Sequence, residues 1–229
     1  MTLAEFEILA SEKLATNDKE ARDDFLYLLN AGLLRAVIEA LTRSQKELGE
    51  VASRSYYHNN GFFKVLLIDK RPKYSIRLHI WPEHPFQDSD VHNHPWGMSG
   101  LVLNGSYEWS IYSLERDQEE SGCLELYECR YLKDYSGHSF HKKGSVKLIE
   151  TDTIFLQKSE VFCLPSVQYH SVKKGNAEPA DSIVITGHSD YLSADVISSH
   201  ARPCNTLLKN ASVEIPFLRE KLVSFIARS

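Results

Sequence analysis

Three histidines carry the chemistry that this sequence can offer. His92-Asn93-His94 sets two imidazoles two residues apart. On an extended strand, residues i and i+2 point to the same face, so both rings can grip one metal ion. Far downstream, Pro165-Ser166-Val167-Gln168-Tyr169-His170 places a third histidine just after a strand and turn. A closed barrel can bring that segment beside the first pair. Three imidazoles with open positions suit Fe(II), Zn(II), Ni(II) or Cu(II). A lone HxH pair also occurs among surface and core histidines, so the surrounding elements have to decide.

Those elements change character along the chain. The first 55 residues read as helix. Leu3, Phe6, Leu9 and Leu14 lie at near-helical spacings, and Asn17-Asp18 makes a break. A second amphipathic segment then runs from Asp18 through Phe25, Leu28, Leu29, Leu33, Leu34, Val37, Ile38 and Leu41. From Phe62 the texture is short strands separated by turn residues: Phe62–Ile68, Tyr74–Trp81, Gly100–Leu103, Tyr107–Leu114, Leu124–Leu132, Ser145–Glu150, Thr153–Leu156, Val161–Leu164 and Ser182–Thr186. Asn104-Gly105 is a tight-turn signal. This spacing predicts an antiparallel barrel or sandwich rather than βαβ units. A last helix follows, with Pro216 near its start and Phe217, Leu218, Leu222, Phe225 and Ile226 as its apolar stripe. It is expected to pack on the barrel or on a partner subunit, so a homodimer is one expectation. The expected organisation is a single domain: residues 1–55 helical, 56–191 barrel, 192–229 a C-terminal extension with a helix.

Alternation selects further candidates. In Tyr74–Trp81, Ile76, Leu78 and Ile80 share one face, while Arg77, His79 and Trp81 share the other, which should look into the barrel. Arg77 is a candidate anchor for an anionic group, or the partner of a structural carboxylate. Tyr57, Trp81 and Met98 are candidate pocket walls. Tyr169 should point away from the site that His170 faces. Glu108 could be a fourth ligand or a base. His138 and His141, in a turn entering a strand, could make a second metal contact. His84 reads as an exposed loop residue.

Composition excludes other classes. The formal net charge is -5 and the Lys/Arg residues form no stripe, so a nucleic-acid partner is not expected. No stretch approaches the ~18 apolar residues of a membrane span. The acidic start, Met1–Glu7, lacks the apolar core of a signal peptide. The four cysteines, Cys123, Cys129, Cys163 and Cys204, form no CxxC pair. A reducing, cytoplasmic location is the simplest expectation.

The spacings match known signatures. Three residues lie between His94 and Met98, and six more precede Gly105. The chain thus resembles the cupin superfamily, whose first signature is HxH-x(3,4)-E-x(6)-G, with Met98 standing at the glutamate. The second, PxG-x(2)-H, is met by Pro165 and His170, with Val167 at the glycine. Within the cupins the chain most resembles the cysteine dioxygenase-like thiol dioxygenases, over roughly Tyr57 to Tyr191. The helical lead-in, the strand ending at Trp81, the HxH motif, Asn104-Gly105, and His170-Ser171-Val172-Lys173 with Glu178–Ser182 fit that family's order.

This resemblance implies a cupin barrel with flanking helices. It also implies mononuclear non-haem Fe(II) on three neutral histidines, His92, His94 and His170, with O₂ as co-substrate. Zn(II) and Ni(II) are the alternative metals. Two family features do not carry over. Ser182 is kept from a Ser-His-Tyr relay, but Val184 and Thr186 stand at its other positions, and His188 is a candidate replacement. Asn59 stands near the position of the family's carboxylate-binding arginine. The expected activity is therefore a dioxygenase for a small thiol or anionic metabolite other than cysteine. A metal cupin with isomerase, lyase or hydrolytic chemistry, and a non-catalytic binding cupin, are the other readings.

Overall fold

The computed structural model of the chain describes residues 1–16, 18–82, 89–115, 124–174, 179–189 and 191–228. His84, Cys123 and Glu178 lie outside these residues.

Four helices open the chain: α1 (Leu3–Lys13), α2 (Lys19–Leu28), α3 (Leu34–Arg43) and α4 (Gln45–Arg54). Local chemistry sets their ends. Thr2 and Glu5 form a reciprocal capping box on α1, with Oγ1 accepting from the Glu5 amide at 3.2 Å and Oε2 accepting from the Thr2 amide at 2.8 Å. Asp18 accepts from the Ala21 amide at 2.9 Å and starts α2. The segment expected as one helix from Asp18 to Leu41 is divided by a π-helical turn, Leu29–Leu33. Within that turn Gly32 adopts φ +101°, a conformation that side chains rarely tolerate. A further boundary falls at Ser44, whose hydroxyl caps α4.

The strands are β1 (Tyr56–Tyr57), β2 (Phe63–Lys70), β3 (Tyr74–Trp81), β4 (Val91–His92), β5 (Met98–Asn104), β6 (Ser106–Glu115), β7 (Leu124–Tyr131), β8 (Gly137–Gln157), β9 (Val161–Leu164), β10 (Tyr169–Lys174), β11 (Ala180–Thr186), β12 (Ser193–Ser198) and β13 (Leu208–Lys209), before the final helix α5 (Ile215–Arg228). All the ladders between them are antiparallel. One sheet runs β1-β2-β3-β11-β5-β9. The other runs β13-β8-β6-β10-β4-β12-β7 and closes on itself, because the first half of β8 also pairs with β7. The architecture is the expected cupin-type antiparallel barrel with flanking helices.

Two expectations are corrected here. Ser145–Glu150 and Thr153–Leu156 are parts of one strand, β8. Thr151 lies in a register shift of the ladder to β6 and bonds the Ile111 carbonyl, so its polar Thr151-Asp152 pair is a bulge and not a turn. His138 and His141 accordingly sit in that strand. The barrel also extends past residue 191, because β12 lies between β4 and β7.

The first sheet sorts β3 by parity. Ile76, Leu78 and Ile80 join Val65, Leu67, Ile183 and Ile185 in a core with Phe6, Phe25, Ile38, Leu41 and Leu48 of the helices. α5 adds Leu218, Leu222 and Phe225 to that core, packing on α3 and α4. Arg228 at its end pairs with the buried Asp181 of β11 at 3.1 Å. The helices thus occupy the outer face of the sheet. The opposite parity, including Arg77, His79 and Trp81, is left to face the barrel interior.

Candidate metal centre

His92 closes β4, and the chain leaves that strand before His94. Asn93 between them points the other way: its Oδ1 accepts from the Asp195 amide at 2.7 Å, and its own amide donates to the Asp195 carbonyl at 3.1 Å. This double tie to β12 turns both imidazoles inward. His170 comes from β10, where it is the direct antiparallel partner of His92. The three residues offer ligand nitrogens within 4.8 Å of one another.

Each ring is held differently. His92 Nδ1 meets the Asp90 carbonyl at 2.8 Å and His170 Nδ1 meets the Gln168 carbonyl at 3.1 Å. Both contacts direct Nε2 toward the cluster, as ligand histidines require. His170 also stacks on Trp109, with centroids 5.3 Å apart at 19°. His94 stacks on Trp96 at 5.8 Å and 14°, and its Nδ1 is buried with no hydrogen-bond partner.

All three are poised to be neutral. Burial, reinforced by Lys64, lowers His92 to about 4. Burial and the neighbouring imidazoles hold His94 and His170 well below the ordinary value. Neutral imidazole is the form that binds metal. Among the described residues no carboxylate belongs to the cluster, and Met98 at the glutamate position is buried thioether. This donor set of three neutral imidazoles fits one divalent ion such as Fe(II), Zn(II) or Ni(II).

A cavity of two lobes adjoins the cluster. Both lobes are bordered by His58, Lys64, Arg77, His92 and His94. One, the polar lobe, of about 100 Å³, continues past Trp96, Tyr131 and Tyr135. The other, the inner lobe, of about 60 Å³, is walled by aromatics, among them Phe62, Trp81, Trp109 and Phe162. Gly100 makes room there: a Cβ on it would stand 2.1 Å from Phe162 Cζ.

Arg77, His79, Trp81, Met98 and Ser182 all reach this cavity. Tyr57 touches only its rim. It is half exposed and its ring packs on Phe63 and Phe217, at 5.5 and 5.8 Å, while Tyr56 borders the polar lobe. Arg77 is not the partner of a structural carboxylate among the described residues: its Nε donates to Ser75 Oγ at 2.7 Å and its guanidinium lies 4.7 Å over Trp96. His188 is exposed and does not line the cavity. Beside Ser182 in the cavity stands His79, its register partner across β3 and β11, with Nε2 buried and unpartnered. Glu108 does not line the cavity, whereas its neighbours Tyr107 and Trp109 do. Tyr169 points away, bonding Asp195 at 2.7 Å. His138 borders the polar lobe, but neither it nor His141 joins a metal cluster among the described residues.

Lys64 had no sequence signal. It sits in the apolar run Phe62–Ile68 but takes the inward parity of β2, opposite His79. It is 7% exposed, with Nζ 5.3 Å over the Tyr56 ring and 3.4 Å from its hydroxyl. Burial first, then Arg77 and Arg71, push its amine well below the ordinary range.

No family model matches the chain, and no curated protein matches it either. Solved structures similar to it include the cupin domain of Schizosaccharomyces pombe Cnp3, at 13% identity and TM-score 0.32 over 56% of this chain and 61% of that one. A cupin superfamily protein from Desulfitobacterium hafniense has 12% identity and TM-score 0.34, over 61% and 88% of the two chains. A cupin-2 domain protein from Shewanella frigidimarina has 15% identity and TM-score 0.29, over 53% and 76%. At these values the likenesses carry no functional weight. The membrane expectation concerns helices alone: among the described residues, no helix is long and apolar enough to cross a bilayer.

Proposed function

We propose that this chain is a mononuclear non-haem iron dioxygenase of cysteine dioxygenase-like type, acting on a small thiol or anionic metabolite other than cysteine. One observation carries this reading. Three neutral imidazoles, with no carboxylate in their cluster among the described residues, border a buried cavity that also holds Lys64 and Arg77. The charge balance of such a site has to come from the substrate.

His92, His94 and His170 would hold the ion, which when bound supplies redox chemistry with O₂. The rest is the work of the chain. Lys64 is placed to donate to an anionic group of the substrate. Phe62, Trp81 and Phe162 exclude water from the inner lobe. His79 Nε2, buried without a hydrogen-bond partner, is placed to hold a hydrogen bond or a proton on the bound molecule. Cysteine is a poor fit, since Asn59 is exposed and Val184 occupies the relay position beside the cavity.

The test is oxygen uptake by anaerobically purified, Fe(II)-loaded protein against a panel of small thiols and carboxylates. Uptake in proportion to substrate consumed, absent with Zn(II), supports the reading. Tight Zn(II) or Ni(II) binding with turnover but no oxygen consumption would replace it with Lewis-acid chemistry. Ligand binding without any turnover would replace it with a binding protein.

A further inference from the structure

We infer that the polar lobe of the cavity is a second subsite, built for an oxyanion group that the substrate carries away from its metal-binding end. The inference rests on the reading above, and it narrows the substrate to molecules with two separated anionic or thiol groups, the remote one a carboxylate, sulfonate or phosphate.

Arg77 is the centre of this subsite. It is 4% exposed, and among the described residues no carboxylate pairs with it. The two other arginines of the lobe are already neutralised, Arg71 by Asp69 and Arg202 by Asp90. Ser75 occupies Nε of Arg77 and Trp96 covers a face of its guanidinium. The terminal nitrogens are left to bind whatever enters the lobe. A guanidinium edge so fixed matches the oxygens of a carboxylate or phosphate.

Two further donors belong to the same lobe. Trp96 Nε1 and the Tyr135 hydroxyl are both buried, both line it, and neither has a partner. An indole N–H can only donate. Tyr135 is held in place by the Arg71 guanidinium, 4.3 Å from its ring centre. Water would satisfy these two neutral donors, but it would leave the Arg77 charge uncompensated in a buried site. An oxyanion meets all three.

Calorimetry on metal-loaded protein tests this with malonate, succinate, glutarate and adipate, each against the monocarboxylate of equal length. One dicarboxylate should bind about tenfold or more tightly than its monocarboxylate partner. Arg77→Met should erase that advantage with metal content unchanged. Tyr135→Phe, which keeps the ring, should reduce it roughly three- to tenfold. No dicarboxylate advantage, or one that survives Arg77→Met, overturns the subsite. Inorganic sulfate on metal-free protein separates the two readings. Sulfate binding that Arg77→Met abolishes upholds the subsite even where wild-type protein takes up no metal, an outcome that removes the metal centre instead.

Discussion

His170 and His92 are direct partners in the β10–β4 ladder, and their ring centroids stand 4.4 Å apart. The cluster is therefore fixed by the backbone register of two strands. A slip of one residue in either would turn one ring to the other face. The segment that enters β10 is also tied to the first histidine pair, because the Val167 amide donates to the His94 carbonyl at 3.0 Å.

Val167 makes that contact at φ +63°, in the left-handed region that β-branched residues avoid. Its side chain is 66% exposed, so little burial is at stake. Val167→Gly should stabilise the protein by about 1 kcal/mol in denaturant unfolding, with metal binding retained. Equal or lower stability would show that the turn is not strained.

Gly100 and Phe162 give a prediction of opposite sign. An alanine Cβ at residue 100 would meet three atoms of the Phe162 ring at 2.1 to 2.8 Å. Gly100→Ala should cost about 1–3 kcal/mol or more, and Phe162→Leu in the same chain should recover part of it. A neutral Gly100→Ala would mean that the inner lobe is looser than its aromatic lining implies.

Legibility in the sequence followed sequence distance and parity. His92 and His94 were readable because two residues on one extended segment must share a face. His170 was readable from its spacing after Pro165. The inward set of β3 was readable because Ile76, Leu78 and Ile80 alternate with Arg77 and His79. Lys64 was hidden in an apolar run whose two faces are both buried, one against helices and one against the cavity. Trp96 and Tyr135 sit in loops, and Trp109 and Phe162 in strands of different sheets, so their meeting leaves no local pattern in the sequence. The single strand β8 was missed because a bulge and a turn use the same polar residues. The helix break at Gly32 was missed because one glycine in a helical pattern is usually tolerated.

Acid should weaken the metal-free protein. His92 in the fold is lowered to about 4, chiefly by burial, against an ordinary value near 6.5. As pH falls through that window the unfolded chain takes up a proton that the folded chain refuses. Stability is therefore full above about pH 6.5 and is lost toward pH 4, by up to about 3 kcal/mol from His92 alone. Burial drives His79, His94 and His170 the same way. Denaturant titrations of metal-free protein at a series of pH values check this. Flat stability across the window would mean that these rings are hydrated in the fold.

The metal centre itself is tested most directly by elemental analysis of purified wild-type protein beside His170→Ala, both confirmed folded by circular dichroism. The wild type should carry about one divalent ion per chain, and the variant at least about tenfold less, because one of three ligands is gone. Equal metal content in the two proteins would contradict a site built from His92, His94 and His170.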